Sequence, residues 1–201
     1  MNVKPDFDEN ELLRQMRAGN EDAFVAIYRE RHAAVYRFAL QMCGSTSIAE
    51  DVTQEVFMLL MRGGVRYDSS RGSLSAFLLG IARNYVLRRF RRDGLLVPLT
   101  DQDEETAAAA IKDTGVFDGL ARAETITTVR RAILSLPERY REVIVLCELQ
   151  ELSYVEAAQV LGCAIGTVRS RLHRGRALLL EKLRPSRKED ERDVSSARCF
   201  A

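Results

Sequence analysis

At 201 residues, with 46% hydrophobic and 29% charged side chains, the chain has an ordinary soluble composition and room for one or two domains with real cores. No apolar run approaches the roughly 20 residues of a membrane span, and the opening M-N-V-K-P-D-F-D-E-N has no apolar core for a secretory signal, so a cytoplasmic location is expected. The net charge of +1 hides a segregation: residues 1–92 carry 14 basic and 11 acidic side chains, residues 93–123 carry 2 and 7, and residues 124–184 carry 10 and 7.

In chain order, the first helix is expected over Glu9–Ala18 and stops at Gly19. Asn20 caps a longer helix with Phe24, Ile27, Tyr28, Val35, Phe38 and Met42 at core spacing, ending near Gly44. Ser47 begins a third, with Val52, Val56, Leu59 and Leu60 inward, running to Arg62 before the Gly63-Gly64 break. A loop rich in Gly, Ser and Arg leads to Ser73, which caps a fourth helix through Arg92. That helix turns Phe77, Ile81, Tyr85 and Phe90 inward and carries five arginines and no acid. Residues 93–121 read as a flexible acidic linker.

A helix near Arg122–Ser135 and another after Pro137 open the second body. A helix-turn-helix comes next. Ser153 and Glu156 form an S-x-x-E capping box, Val155, Ala158 and Leu161 stand at helical spacing, and Gly162 allows the left-handed turn. The second helix of the pair is expected to bury Ile165, Val168 and Leu172, which leaves Arg169, Ser170, His173 and Arg174 on another face. Apolar knobs on one side and protruding donors on the other fit a DNA major groove, where Arg bonds guanine in bidentate fashion. Pro185 ends the last helix, and 185–201 is expected to be disordered.

No stretch alternates with period two, so the fold class is all-α: two small helical domains, 8–92 and 122–184, joined by the linker. Cys43, Cys147, Cys163 and Cys199 form no C-x-x-C, and with only His32 and His173 beside them neither zinc nor a disulfide framework is expected. The first three read as small core hydrophobes. No G-x-x-x-x-G-K, G-x-S-x-G or catalytic His or Cys constellation is present, so neither an enzyme nor a cofactor is expected. Two modest basic faces and an acidic connector imply weak DNA binding by the chain alone, with a partner supplying the remainder.

Four stretches, in this order, resemble the extracytoplasmic-function (ECF) sigma factors of bacterial RNA polymerase. A-E-D-V-T-Q-E-V-F (49–57) looks like the family's polymerase-binding helix, and F-L-L-G-I-A-R-N (77–84) with R-R-F-R-R (88–92) looks like its minus-ten helix. L-P-E-R-Y-R-E-V-I-V-L (136–146) looks like the start of its C-terminal domain, and G-T-V-R-S-R-L-H-R-G-R (166–176) looks like its minus-thirty-five recognition helix. The resemblance implies a promoter-specificity subunit whose partners are core RNA polymerase, promoter DNA and an anti-sigma factor. By it, Asp51, Gln54 and Glu55, which share one side of the third helix, dock on the clamp helices of the largest polymerase subunit.

The resemblance also implies that Asn84 reads a base edge of the melted minus-ten strand, flanked by Arg83, Arg88, Arg91 and Arg92 on or near the exposed side of the helix. Tyr67 is the candidate stacking platform for a flipped base, the other reading being a loop aromatic that covers the core. Arg169, Ser170, His173 and Arg174 match positions that face the minus-thirty-five element, with Arg171 and Arg176 to the sides, suited to phosphates. The family commonly has Trp at Phe77 and a charged residue at Gly80, where a close approach by a helix or by DNA is the open question. About 31 residues of linker reach at most about 100 Å, against roughly 50–70 Å between two promoter elements, so the span is possible only when the linker is stretched. A helix-turn-helix regulator acting apart from polymerase is the alternative, and a purely protein-binding helical protein a further one.

Overall fold

Four helices begin where a side chain, that of Asn20, Ser45, Ser73 or Ser153, takes up free N–H groups of the first turn. The computed structural model describes residues 9–63, 67–92 and 120–184, with side chains from residue 125 in the last stretch. Among them every regular element is helical. The expected linker lies outside the described residues up to 119, as do Gly64, Pro185, Cys199 and the whole expected tail.

Helix α1 (Glu9–Arg17) ends at Gly19 with φ +91°, and Asn20 Oδ1 then accepts from the N–H groups of Asp22 and Ala23 at 3.0 and 3.3 Å to start α2 (Glu21–Cys43). Gly44 takes the left-handed conformation and its N–H returns to Leu40 O at 2.8 Å. Because α2 stops there, the first hydroxyl downstream, Ser45 rather than Ser47, caps α3 (Thr46–Met61). Ser73 Oγ accepts from Ala76 N–H at 3.2 Å at the start of α4 (Leu74–Arg92). Helices α2, α3 and α4 pack on one another around Ile27, Phe38, Met42, Val56, Leu74 and Leu78, with α1 along α2. Burying side chains of that size stabilises by about 1.5–3 kcal/mol each. Tyr28, expected inside, is 39% exposed, because its ring stands at the rim of α2 against Phe57.

In the C-terminal body α5 (Leu120–Leu134) is followed by α6 (Glu138–Ile144), with Pro137 at the cap position rather than inside the first turn. One π turn, Val145–Leu149, extends α6. Helix α7 (Tyr154–Leu161) has the full capping box, and Gly162 with φ +65° turns the chain into α8 (Ile165–Leu183). Helices α6 and α8 cross at Gly175, where an added Cβ would sit 3.1 Å from Ile144 Cγ1. Val168 and Leu172 are buried as expected, but Ile165 at the first turn of α8 is 38% exposed and Val155 52% exposed. The reason is that α7 turns Ala157 and Ala158 inward, small residues that let it lie against both α4 and α8.

The two bodies touch. Their buried residues form one continuous apolar cluster, with Phe38, Leu74 and Leu78 on one side and Leu146, Leu152, Ala157 and Val168 on the other. Polar links cross the seam: Arg141 Nη1 donates to Met42 O at 2.8 Å, Gln150 Nε2 to Gln41 Oε1 at 3.0 Å, Arg83 Nε to Glu142 Oε1 at 2.6 Å, and Ser73 Oγ to Glu156 Oε1. Gly72 lies so close to α7 that an added Cβ would fall 2.8 Å from Gln159 Oε1.

At Gly80 an added Cβ meets nothing within 4 Å, so no described helix approaches there. Gly80→Ala is expected to raise stability by up to about 1 kcal/mol through helix propensity, read from urea unfolding midpoints. Glu156 gives a pH dependence. Burial pushes its carboxyl up, but hydrogen bonds from Ser73 and Ser153 outweigh that and hold it below the usual glutamate range. Its contribution is therefore present above the unfolded value and is lost as pH falls through the lower folded one. Glu138 acts with the opposite sign, since burial and then the Glu142 charge push its carboxyl up. Comparing unfolding of the native chain and Glu156→Gln from neutral to acid pH isolates Glu156: the native chain is expected to lose its advantage over the variant on the acid side.

Candidate nucleic-acid interface

The exposed side of α8 gathers Arg169, Ser170, His173 and Arg174, four residues within two turns. The Ser170 hydroxyl donates back to Thr167 O at 3.0 Å, and the Arg169 guanidinium stands 6.0 Å from the Tyr154 ring centroid on the neighbouring α7. Ile165 at the first turn of α8 and Val155 on α7 are exposed apolar residues. Arg171 is half-buried on the flank. Arg176 is exposed and bonds Glu148, whose place in the π turn brings it beside α8; Arg176 Nε is 3.1 Å from Glu148 Oε1. The sequence places Arg176 on a flank but gives no sign of that carboxylate.

On α4, Asn84 and Arg88 are exposed one turn apart, and Arg91 and Arg92 are exposed at the end. Arg83 is not with them. Its side chain is 19% exposed and points into the seam, where Glu142, itself 4% exposed, accepts from its Nε at 2.6 Å. This corrects the expected exposure of Arg83. The physical reason is the C-terminal body, which covers that side of α4 and supplies a carboxylate the local sequence cannot reveal.

Tyr67 does not stand free as a platform. Its hydroxyl donates to Gly72 O at 3.0 Å, and its ring lies 5.4 Å from that of Phe77, tilted by 58°. Burial pushes its phenol above the ordinary value. Between the reading as a stacking platform and the reading as a cover for the core, this geometry favours the cover. The same ring helps wall a cleft of about 370 Å³ with Leu13, Arg14 and Arg17 of α1.

Helix α3 buries Val52, Thr53, Val56 and Phe57 and exposes Asp51, Gln54 and Glu55, so the stripe the spacing foresees is present. Asp51 also faces Arg89 of α4 at 4.0 Å. Beside the stripe lies a feature absent from the sequence expectations, a groove of about 660 Å³ walled by Phe24, Tyr28, His32, Phe57, Met58 and Met61. Tyr28 and His32 stack at 4.8 Å there. Its signal in the sequence is the recurrence of Phe24, Tyr28 and His32 every four residues, a spacing that equally well describes a row of core positions. Among the described residues no group of three His, Cys, Asp or Glu side chains could hold a metal ion, and no helix is long and apolar enough to cross a membrane.

Comparison with known proteins matches residues 27–95 to sigma-70 region 2 and residues 126–179 to sigma-70 region 4. The chain is 33% identical over 181 residues to the ECF RNA polymerase sigma factor SigW of Bacillus subtilis, covering 86% of this chain and 95% of that one. It is 34% identical over 161 residues to the ECF RNA polymerase sigma factor SigE of Mycolicibacterium smegmatis, covering 78% and 60%. Among solved structures it is similar to the sigma factor RpoE in complex with the anti-sigma factor NepR from Bartonella quintana, at 27% identity, TM-score 0.63 and coverage of 82% and 98%. It is also similar to CnrH in complex with the cytosolic domain of CnrY, at 25% identity, TM-score 0.64 and coverage of 86% and 95%.

Proposed function

Since the chain belongs to the ECF sigma factors, the promoter-specificity subunits of bacterial RNA polymerase, we propose a division of labour among its exposed faces. The N-terminal body, 8–92, holds core polymerase and the minus-ten element, and the helix-turn-helix body, 122–184, reads the minus-thirty-five duplex, with 93–121 spanning between them. Location is cytoplasmic, where the polymerase works. The sigma factor RpoE of known structure is in complex with the anti-sigma factor NepR, and we extend such a partner to this chain.

The observation that carries this reading is the α8 face. Arg169, Ser170, His173 and Arg174 are exposed together beside buried Val168 and Leu172, so the helix can enter a groove without losing its packing. Arg174 is assigned to a base edge, and Arg171 and Arg176 to phosphates, which position the helix without specifying sequence. On α4, Asn84 is assigned to the edge of an unstacked base and Arg88 to the strand backbone. Tyr67 supports this pocket from behind as part of the core cover. Asp51, Gln54 and Glu55 dock on the polymerase clamp helices, with the adjoining aromatic groove extending that contact. No covalent chemistry falls to this chain; it directs initiation by binding.

Transcription by core polymerase of the source bacterium on fragmented genomic DNA, with transcript starts sequenced, tests the whole. New starts sharing two spaced motifs are expected when the chain is added, and DNA binding with no association with core polymerase would overturn the reading. Arg174→Ala is expected to weaken binding to such a promoter by roughly 1–3 kcal/mol and to relax preference at one position. Equal weakening on every sequence would make Arg174 a phosphate contact. Charge reversal at Asp51 and Glu55 together is expected to lower core-polymerase binding while leaving duplex binding by the chain unchanged, as measured by pull-down and by fluorescence anisotropy.

A further inference from the structure

The donor face of α8 has a neighbour on α7. Arg169 is exposed in the second turn of α8, and its guanidinium carbon lies 6.0 Å from the ring centroid of Tyr154. That is within the reach of about 6 Å over which an aromatic face attracts a cation. Tyr154 is itself 38% exposed and belongs to neither buried cluster, so the core does not account for its ring.

The ring is fixed from both ends. Its backbone follows directly on the capping box, in which Ser153 Oγ accepts from Glu156 N–H at 3.2 Å and Glu156 Oε2 accepts from Ser153 N–H at 3.0 Å. Its hydroxyl end faces Arg176, which Glu148 holds by accepting from Nε at 3.1 Å and from Nη2. Glu148, by hydrogen bond and then by charge, pushes that guanidinium further into its charged form, and the Tyr154 hydroxyl adds to this. Contacts thus run from Glu148 in the π turn to Arg176, to Tyr154 and on to Arg169.

An arginine free in solvent samples many rotamers and gives up that freedom when it bonds a base edge. Bidentate bonding to guanine also needs the planar fork in one orientation. Attraction to a fixed ring narrows the orientations in advance and, unlike a carboxylate partner, brings no negative charge against DNA.

We propose that Tyr154 is a positioning residue for promoter reading: its ring sets Arg169 at the base edge, and the Glu148–Arg176 pair sets the ring. This rests on the assignment of the α8 face to the minus-thirty-five duplex. A phosphate contact by Tyr154 itself is the competing role, and it would carry no sequence preference.

The test is transcription by the chain with core polymerase on promoters that differ from a native one by single base pairs across the upstream element. Preference is the ratio of yields between promoters for one protein, so a loss of folded protein cancels. Arg169→Ala is expected to relax preference at one position. Tyr154→Phe keeps the ring and is expected to keep that preference within about twofold. Tyr154→Leu is expected to lower it there, and not elsewhere, by about two- to fivefold, the size of an exposed cation–π contact. The double variant is expected to be no more relaxed at that position than Arg169→Ala, because residues acting through one contact do not add. Preference retained there by Tyr154→Leu overturns the proposal, and a yield lowered alike on every promoter makes Tyr154 a phosphate contact instead. Equal losses in Tyr154→Phe and Tyr154→Leu overturn it too. If the native chain shows no preference across the element, the assignment of α8 fails and the proposal with it.

Discussion

One guanidinium, on α6, ties together the ends of two other helices. Arg141 of α6 donates to the carbonyls of Leu134 and Leu136, where α5 ends, and to the carbonyl of Met42, in the last turn of α2. The last carbonyls of a helix have no intrahelical partner and carry the negative end of its dipole, so a cation there answers both deficits. Burial alone would push Arg141 towards its neutral form, and Glu138 and Glu142 oppose that. A buried cation tolerates few alternative placements, because any shift leaves charge and carbonyls unpaired. Arg141 therefore fixes where α6 begins relative to α2, and through α6 it fixes where α8 lies.

Held in this way, the two bodies share apolar surface across a seam that also carries polar links. Each body has partners of its own: α2, α3 and α4 around Phe38 and Val56 in one, and Leu136, Val143, Ile144 and Leu172 in the other. At the seam Leu74 and Leu78 of α4 join Ala157 of α7 and Val168 of α8 in the larger cluster. The exposed faces lie apart, and the function proposed above gives them separate tasks, the α3 stripe for a protein and the α8 arginines for duplex.

The helices and their caps are legible in the sequence because capping is local: Asn20, Ser73, Ser153 and Gly162 act within three or four residues of where they stand. The cap of α3 lies two residues before the expected Ser47, because two serines flank Thr46 and only the three-dimensional course of Gly44 decides between them. Periodicity shows that α7 has an apolar row but not which row meets a neighbour, so it points Val155 inward while the smaller Ala157 does the packing. The exposure of Asp51, Gln54 and Glu55 is set by their spacing. The burial of Arg83 is not, since Glu142 lies 59 residues away and Glu156 lies 83 residues from Ser73. Local pattern carries the elements and the faces. It carries nothing about which face another body will cover.

With α8 as the promoter-reading helix, as proposed above, its crossing with α6 at Gly175 bears on promoter choice from the side turned away from DNA. Arg169 sits on the same rigid helix about 9 Å from that crossing, and His173 and Arg174 much nearer. A side chain at Gly175 would push against Ile144 and the carbonyl of Tyr140 and tilt α8 about that point. Residues nearest the pivot would hardly move, while those at the leading turn would swing. Variation behind the recognition helix would thus retune its far contacts and spare its near ones, giving the family a route to altered base preference that leaves every DNA-facing residue in place.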